Sequence, residues 1–227
     1  PDDVAGKTFT ITFDPNGGSL SGSATMQTNS SFKLDQLPGN PTRSGYSFGG
    51  WYDEAGKPVT DVAVGSTGNI TLTAKWIANK NTPYVVEHYK RDLNSNSYTL
   101  VERETFVGTT DAAIAPDVNS YEGFSSPNEE TVTITPDGSL VVRYNYDRIT
   151  YSLTLQYRDG VTQSKTITKQ YADVIELPVP QREGYGFAGW SDTYDYSGNL
   201  YGPQEDITVP TGTATNGLSL YAIWIKS

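Results

Sequence analysis

The chain has 227 residues, a formal net charge of −10 and a sequence pI near 4.5. That sign repels nucleic-acid phosphates and anionic membrane surfaces, so neither partner is expected. With no cysteine, disulfides, thiol catalysis and cysteine-ligated zinc are excluded, and no run approaches the roughly 20 apolar residues of a membrane span.

Residues 1–6 read as a linker remnant. Phe9, Ile11 and Phe13 alternate with threonines, the period of a half-buried strand, and Asp14-Pro15-Asn16-Gly17-Gly18 closes it with turn residues. Residues 31–38 can hold at most a turn or two of helix before Pro38 stops it. Next comes Gly45-Tyr46-Ser47-Phe48-Gly49-Gly50-Trp51, then a turn at 53–56. A closing strand follows, with Ile70, Leu72, Ala74 and Trp76 on one face.

Residues 79–83 form a polar stretch ending in proline and read as a linker. The segment 84–89 is strand-like with its phase open: either Tyr84, Val86 and His88 face inward, or Val85, Glu87 and Tyr89 do. A loop at 94–97 leads to a second strand over 98–107. Asp137-Gly138 signals a turn, and 140–146 closes the stretch. Residues 151–157 alternate again, 172–178 repeat the pre-anchor segment, and Leu218, Leu220, Ala222 and Trp224 repeat the closing strand.

The anchor returns as Gly184-Tyr185-Gly186-Phe187-Ala188-Gly189-Trp190, and a reduced copy stands at Glu122-Gly123-Phe124. Pro116 and Phe124 are eight positions apart, as are Pro38 and Tyr46, which supports the reduced copy. Three aromatics within six residues supply a large apolar area, and the glycines permit turns and close approach. Tyr46, Phe48, Trp51, Trp76, Phe124, Tyr185, Phe187, Trp190 and Trp224 are therefore expected as core anchors. The other use of such tryptophans is as platforms for a ligand such as a sugar. Trp51 and Trp76 are separated by 25 positions, Trp190 and Trp224 by 34, so the last copy carries nine extra residues. The insertion holds Tyr194, Tyr196 and Tyr201 beside Ser, Gly, Asn and Asp, the composition of adaptable recognition loops. These three tyrosines are the candidate ligand contacts.

Residues 7–78 and 149–227 resemble internalin B-repeats, matched by 9–18, 41–51 and 72–76 and again by 153–160, 180–190 and 220–224. Residues 84–148 resemble a mucin-binding-protein repeat in Val86-Glu87-His88-Tyr89, Tyr121-Glu122-Gly123-Phe124 and Val142-Arg143-Tyr144-Asn145-Tyr146. The resemblance implies three tandem small modules of the ubiquitin-like β-grasp type on the surface of mostly Gram-positive bacteria. It departs at Arg158-Asp159-Gly160, which stands where the first copy has Asp-Pro-Asn-Gly-Gly.

His88 is the single histidine, and neither a G-x-S-x-G elbow nor an H-E-x-x-H helix accompanies it. Residues 192–198 are acidic but lack the spacing of an EF-hand calcium loop, and no glycine pair is followed by a Walker lysine. Catalytic residues, cofactors and metals are thus expected to be none. The expected architecture is mainly β with little helix, in three modules in an elongated arrangement, with a radius of gyration above the ~17 Å of a compact sphere. The junction at 147–150, nearly strand to strand, is expected to be stiffer than the one at 79–83. The expected role is a monomeric, extracellular spacer that projects a head domain. The alternative is an adhesin module that binds host glycan or protein through residues 194–201 or a sheet edge.

Overall fold

The computed structural model describes residues 9–28, 31–37, 39–62, 68–209 and 217–227. The expected linker remnant at 1–6 and the stop at Pro38 lie outside them. Among the described residues the structure is nearly all β, and the helical element is a single 3-10 turn, Leu34–Gln36. By compactness the chain divides into two units. One comprises Pro1–Val86, Glu104–Pro116 and Glu130–Val142; the other comprises Glu87–Arg103, Asp117–Glu129 and Arg143–Ser227.

The first and last modules share one topology. In the first, the strand order is Thr25–Thr28, Phe9–Asp14, Ile70–Ala78, Tyr46–Tyr52 and Pro58–Val59. In the last it is Lys165–Gln170, Thr150–Gln156, Leu218–Lys226, Tyr185–Ser191 and Leu200–Tyr201. Each opening strand runs parallel to its closing strand, with Ile11 beside Ile70 and Leu153 beside Leu218, and the remaining neighbours in the two sheets are antiparallel. Alternation buries Phe9, Ile11 and Phe13 in one core, and Leu153 and Leu155 in the other.

The recurring anchor carries a bulge that explains its spelling. Phe48 and Trp51 are three positions apart, so a regular strand would send them to opposite faces. The register slips between Phe48 and Trp51, and likewise between Phe187 and Gly189, because Gly50 and Gly189 adopt φ of 106° and 134°. The extra residue brings both aromatics to the same side. Phe48 then meets Trp51 edge-on at 5.4 Å and Trp76 at 5.8 Å; Phe187 meets Trp190 at 5.4 Å and Trp224 at 5.5 Å. Trp190 is 0 % exposed and Trp51 5 %. At roughly 25 cal/mol per Å², burying the ~200 Å² of an indole is worth on the order of 5 kcal/mol.

Not every expected anchor sits in a core. Tyr46 and Tyr185 stand half-buried outside both apolar clusters, because Gly45 and Gly184, at φ 76° and 72°, turn the chain just before them. An arginine covers each ring instead, Arg43 at 4.1 Å and Arg182 at 3.9 Å. Phe124 is also half-buried, against the Tyr171 ring at 5.8 Å.

The middle sheet has the order Phe124–Ser125, Val141–Arg148, Thr82–Arg91 and Tyr98–Gly108, with a separate pair Ala113–Ile114 and Val132–Thr133. The open phase of its first strand resolves with Val86 and His88 buried on one side. Glu87 is also covered, since Arg103 and Arg143 reach it at 3.1 and 3.2 Å from the other side. Thr82 and Pro83, read from sequence as linker, open this strand.

Both stretches expected from sequence to join modules are bonded to their surroundings. At the first, Asn79 N–H donates to the Gly45 carbonyl (2.9 Å) and Thr110 N–H to the Asn79 carbonyl (2.9 Å). The Thr110 hydroxyl donates to Gly45 at 2.7 Å, and the Tyr46 hydroxyl donates to Asp111. At the second, Ile149 N–H donates to Gly123 and Tyr171 N–H to Ile149, both at 2.8 Å. Arg148, buried there, holds Asp173 at 2.6 Å and also donates to the Tyr171 carbonyl and to Gln170. The polar stretch at 79–83 is thus tied by hydrogen bonds as 147–150 is, because Thr110 reaches back to Asn79 and Thr82.

Candidate ligand surface

The insertion of the last module folds back over that module. Asp192 accepts from Asn199 through both carboxylate oxygens, from the backbone N–H and the side-chain amide, each at 2.7 Å. Asp195 accepts from the Ser197 hydroxyl (2.6 Å) and N–H (3.1 Å), and the hydroxyl bond leads in holding its pKa below the usual carboxylate value. These acids are therefore engaged by donors of their own loop. Among the described residues no group of three or more His, Asp or Glu is placed to hold a metal ion.

The three candidate tyrosines do not form one surface. Tyr201 pairs with Trp190 across the sheet and packs against the core, and burial raises its pKa. Tyr196 donates its hydroxyl to the Ala222 carbonyl at 3.2 Å. Tyr194 is 68 % exposed. Arg158 joins the last two: its guanidinium lies 4.1 Å from the Tyr194 ring and 5.0 Å from the Tyr196 ring, and it donates to the Tyr194 carbonyl at 2.9 Å. The Tyr221 ring meets Tyr194 edge-on at 5.6 Å. Tyr194, backed by Arg158 and Tyr221, is the most exposed of the three candidate rings.

Sequence reasoning missed the arginines. The signal was present as Arg43-Ser44-Gly45-Tyr46 and Arg182-Glu183-Gly184-Tyr185, an arginine three positions before each tyrosine. The glycine turn between them folds each cation over its ring. In the first module Arg43, Tyr46, Tyr52 and Lys75 line a shallow groove of about 590 Å³, with Lys75 4.7 Å from the Tyr52 ring. The Trp51 side of that module borders a second hollow of about 450 Å³, together with Phe48, Leu34 and Val59.

His88 lies inside the middle module. Its Nδ1 is 2.8 Å from the Tyr146 hydroxyl, which also accepts the Asn119 N–H at 2.7 Å, and the Tyr121, Tyr144 and Tyr146 rings surround it. Tyr121 and Tyr146 have pKa values raised chiefly by burial. Glu87, one position earlier, accepts from Tyr89, Arg103 and Arg143; the tyrosine bond leads in lowering its pKa. These contacts make both residues part of the packing of the module.

A family model described as the Listeria-Bacteroides repeat domain matches residues 9–75 and 150–223, which are the first and last modules. Two proteins of Evansella cellulosilytica are similar along 95 % of the chain. One, provisionally named a membrane protein, is 28 % identical over 230 residues; the other, provisionally named a Gly-rich membrane protein, is 26 % identical over 228. The chain spans 32 % and 24 % of their lengths. Among the described residues, no helix is long and apolar enough to cross a membrane.

Proposed function

Because the chain belongs to the Listeria-Bacteroides repeat domain family, we propose that it is the non-catalytic repeat region of a bacterial surface protein, a spacer that projects a head domain. The observation that carries this reading is the junction made twice. Asn79 and Ile149 each donate back to the preceding glycine turn and accept from the following module. A spacer gains reach from such ties, since freely hinged modules would contract toward coil dimensions. In this reading the flanking modules are of the internalin B-repeat kind and the middle one is mucin-binding-like. The mixed sheets of the first and last modules, each with an opening strand parallel to its closing strand, support a β-grasp kind of module, in which the Leu34–Gln36 turn of the first takes the helix's place. The names of the Evansella relatives support a place at a membrane, and an outward-facing position there is part of this proposal.

A second reading is favoured by the exposed Tyr194 ring stacked on Arg158: an adhesin module for host glycan or protein. A binding screen of the chain against glycans and host surface proteins separates the two. Tyr194, Tyr196 and Tyr201 replaced together by alanine serve as control. The spacer reading expects no saturable binding; saturable binding abolished by the triple change would replace it with the adhesin.

A further inference from the structure

Two arginines of the middle sheet are held by one carboxylate and spend little of themselves on it. Arg103 and Arg143 reach the two oxygens of Glu87 at 3.1 and 3.2 Å, each through Nε alone. The Tyr89 hydroxyl donates to the second oxygen at 2.8 Å. A guanidinium carries five N–H donors in a planar fork. The terminal nitrogens of both arginines have no partner among the described residues, and the two side chains are 54 % and 67 % exposed. The other arginines are spent differently. Arg91 and Arg148 put a terminal nitrogen on an aspartate, and Arg43, Arg158 and Arg182 lie over aromatic rings.

The strand order turns this cluster into a ladder of charge. Arg143 stands on Val141–Arg148, Glu87 on the neighbouring Thr82–Arg91, and Arg103 on Tyr98–Gly108, the edge strand of that sheet. The signs run plus, minus, plus, and among the described residues no strand pairs beyond. Opposite charges on neighbouring strands stabilise a sheet, so the next place calls for a carboxylate beside Arg103. An edge strand also keeps a row of backbone N–H and C=O groups unpaired on its outer side. Along Tyr98–Arg103 this row is receptive. Neither proline nor glycine interrupts it, and Leu100 and Val101 are exposed. Glu102 turns to the opposite face, where it accepts from Asn119 and Tyr121 at 2.9 and 2.8 Å.

We propose that Tyr98–Arg103 is a docking edge for an extended acidic peptide segment of another protein, which adds a strand to the middle sheet and sets a carboxylate on the terminal nitrogens of Arg103. Glu87 is the positioning residue that holds Arg103 from behind. Arg143 keeps the cluster net positive within a chain of net charge −10. Antiparallel pairing of this edge with its own copy about Arg103 would set arginine on arginine, which favours a foreign strand. An acidic glycan would use the guanidinia but leave the backbone row, Leu100 and Val101 without a role. Docking here does not use the Tyr194 loop, and a spacer with such an edge is held sideways by a neighbouring protein.

The test titrates the full chain with the capped peptide Thr-Val-Glu-Val-Glu-Val-Thr and follows backbone amides by NMR. Saturable shifts should centre on residues 98–103, and amide exchange there should slow. Altered peptides leave the protein untouched, so a folding defect cannot imitate their effect. Lysine in place of both glutamates should weaken binding about tenfold or more. N-methyl groups on alternate residues, placed in either of the two phases, should abolish binding in one phase and spare it in the other, as strand pairing requires. Arg103→Gln should weaken the glutamate peptide about tenfold, and Arg103→Lys, which keeps the charge without the fork, by less. Replacing Tyr194, Tyr196 and Tyr201 together by alanine should leave this binding unchanged, which keeps it distinct from the adhesin reading. No saturable shift at 98–103, equal binding of the lysine peptide, or loss in the triple variant overturns the proposal. So does indifference to N-methylation in both phases; dextran sulfate displacing the peptide in that case would make the arginine pair a polyanion site instead.

Discussion

The first and last modules bury the same core yet finish one backbone carbonyl differently. In the first, Asn16, at φ 47°, donates its side-chain amide to the Ala74 carbonyl at 3.1 Å. In the last, Arg158 holds that place at φ 56°, and Tyr196 comes from the insertion to bond the equivalent carbonyl of Ala222. Trp76 and Trp224 meanwhile keep the same partner, donating Nε1–H to the Pro15 carbonyl at 3.0 Å and the Tyr157 carbonyl at 2.7 Å. The buried geometry is held fixed, while the polar work at the rim passes to whichever side chain reaches it. The insertion has a bonded half, Tyr196 and Tyr201, and a more exposed half, Tyr194.

The comparison breaks most sharply at the tryptophans. Trp51→Ala and Trp190→Ala should each cost ~3–5 kcal/mol and unfold the module concerned. Trp190, 0 % exposed and donating to the Pro178 carbonyl at 3.0 Å, should stand at the upper end. Urea titrations with amide signals assigned to each module are the measurement. If both variants keep full stability and lose a ligand, the tryptophans are platforms rather than anchors.

The bulge glycines separate the modules next. A Cβ on Gly50 meets only the edge of the Tyr52 ring, at 3.9 Å, whereas one on Gly189 would run into the Tyr201 backbone carbonyl. Gly50→Ala should therefore cost about 1 kcal/mol, from positive φ, and Gly189→Ala about 2–3 kcal/mol, because the strand Leu200–Tyr201 must also move. Equal losses in thermal melts would mean that the second strand yields freely.

Tyr196→Phe removes only the hydroxyl bond to Ala222 and should cost about 1 kcal/mol. Asn16→Ala should cost a similar amount in the first module if the two side chains serve one purpose. A loss at Asn16 with none at Tyr196 would show that Tyr196 is held by its stacking with Arg158 rather than by the Ala222 bond.

The sheets were legible because they alternate: Phe9–Asp14 and Thr150–Gln156 bury every second residue, which a period of two announces. The repeated anchor was legible as a packing unit, but Gly50 and Gly189 had to be seen as bulges before Phe48 and Trp51 could share a face. The seat formed by Gly45, Asn79 and Thr110 was hidden, because its bonds run through backbone groups that every sequence possesses. Sequence also could not sort the insertion's tyrosines. The same composition suits a recognition loop and a loop packed on its own module, and only the Ala222 carbonyl and the Trp190 pairing decide between them.

The smallest expected difference lies in the turn where the first module has Gly17 and the last has Asp159. The Asp159 carboxylate accepts the Thr162 hydroxyl, the Thr162 N–H at 2.7 Å and the Val161 N–H at 2.9 Å. Led by the hydroxyl bond, these hold its pKa down to about 2. An unfolded aspartate titrates near 3.9, so the folded value is depressed. The turn's contribution is therefore complete above about pH 4 and is lost as pH falls through about 2. Amide resonances of Val161 and Thr162 followed by NMR should move with a midpoint near 2, and Asp159→Asn should abolish that movement without unfolding the last module. A midpoint near 4 would mean that the carboxylate is not held by these donors, and that the arginine-for-asparagine exchange at 158 left the turn open.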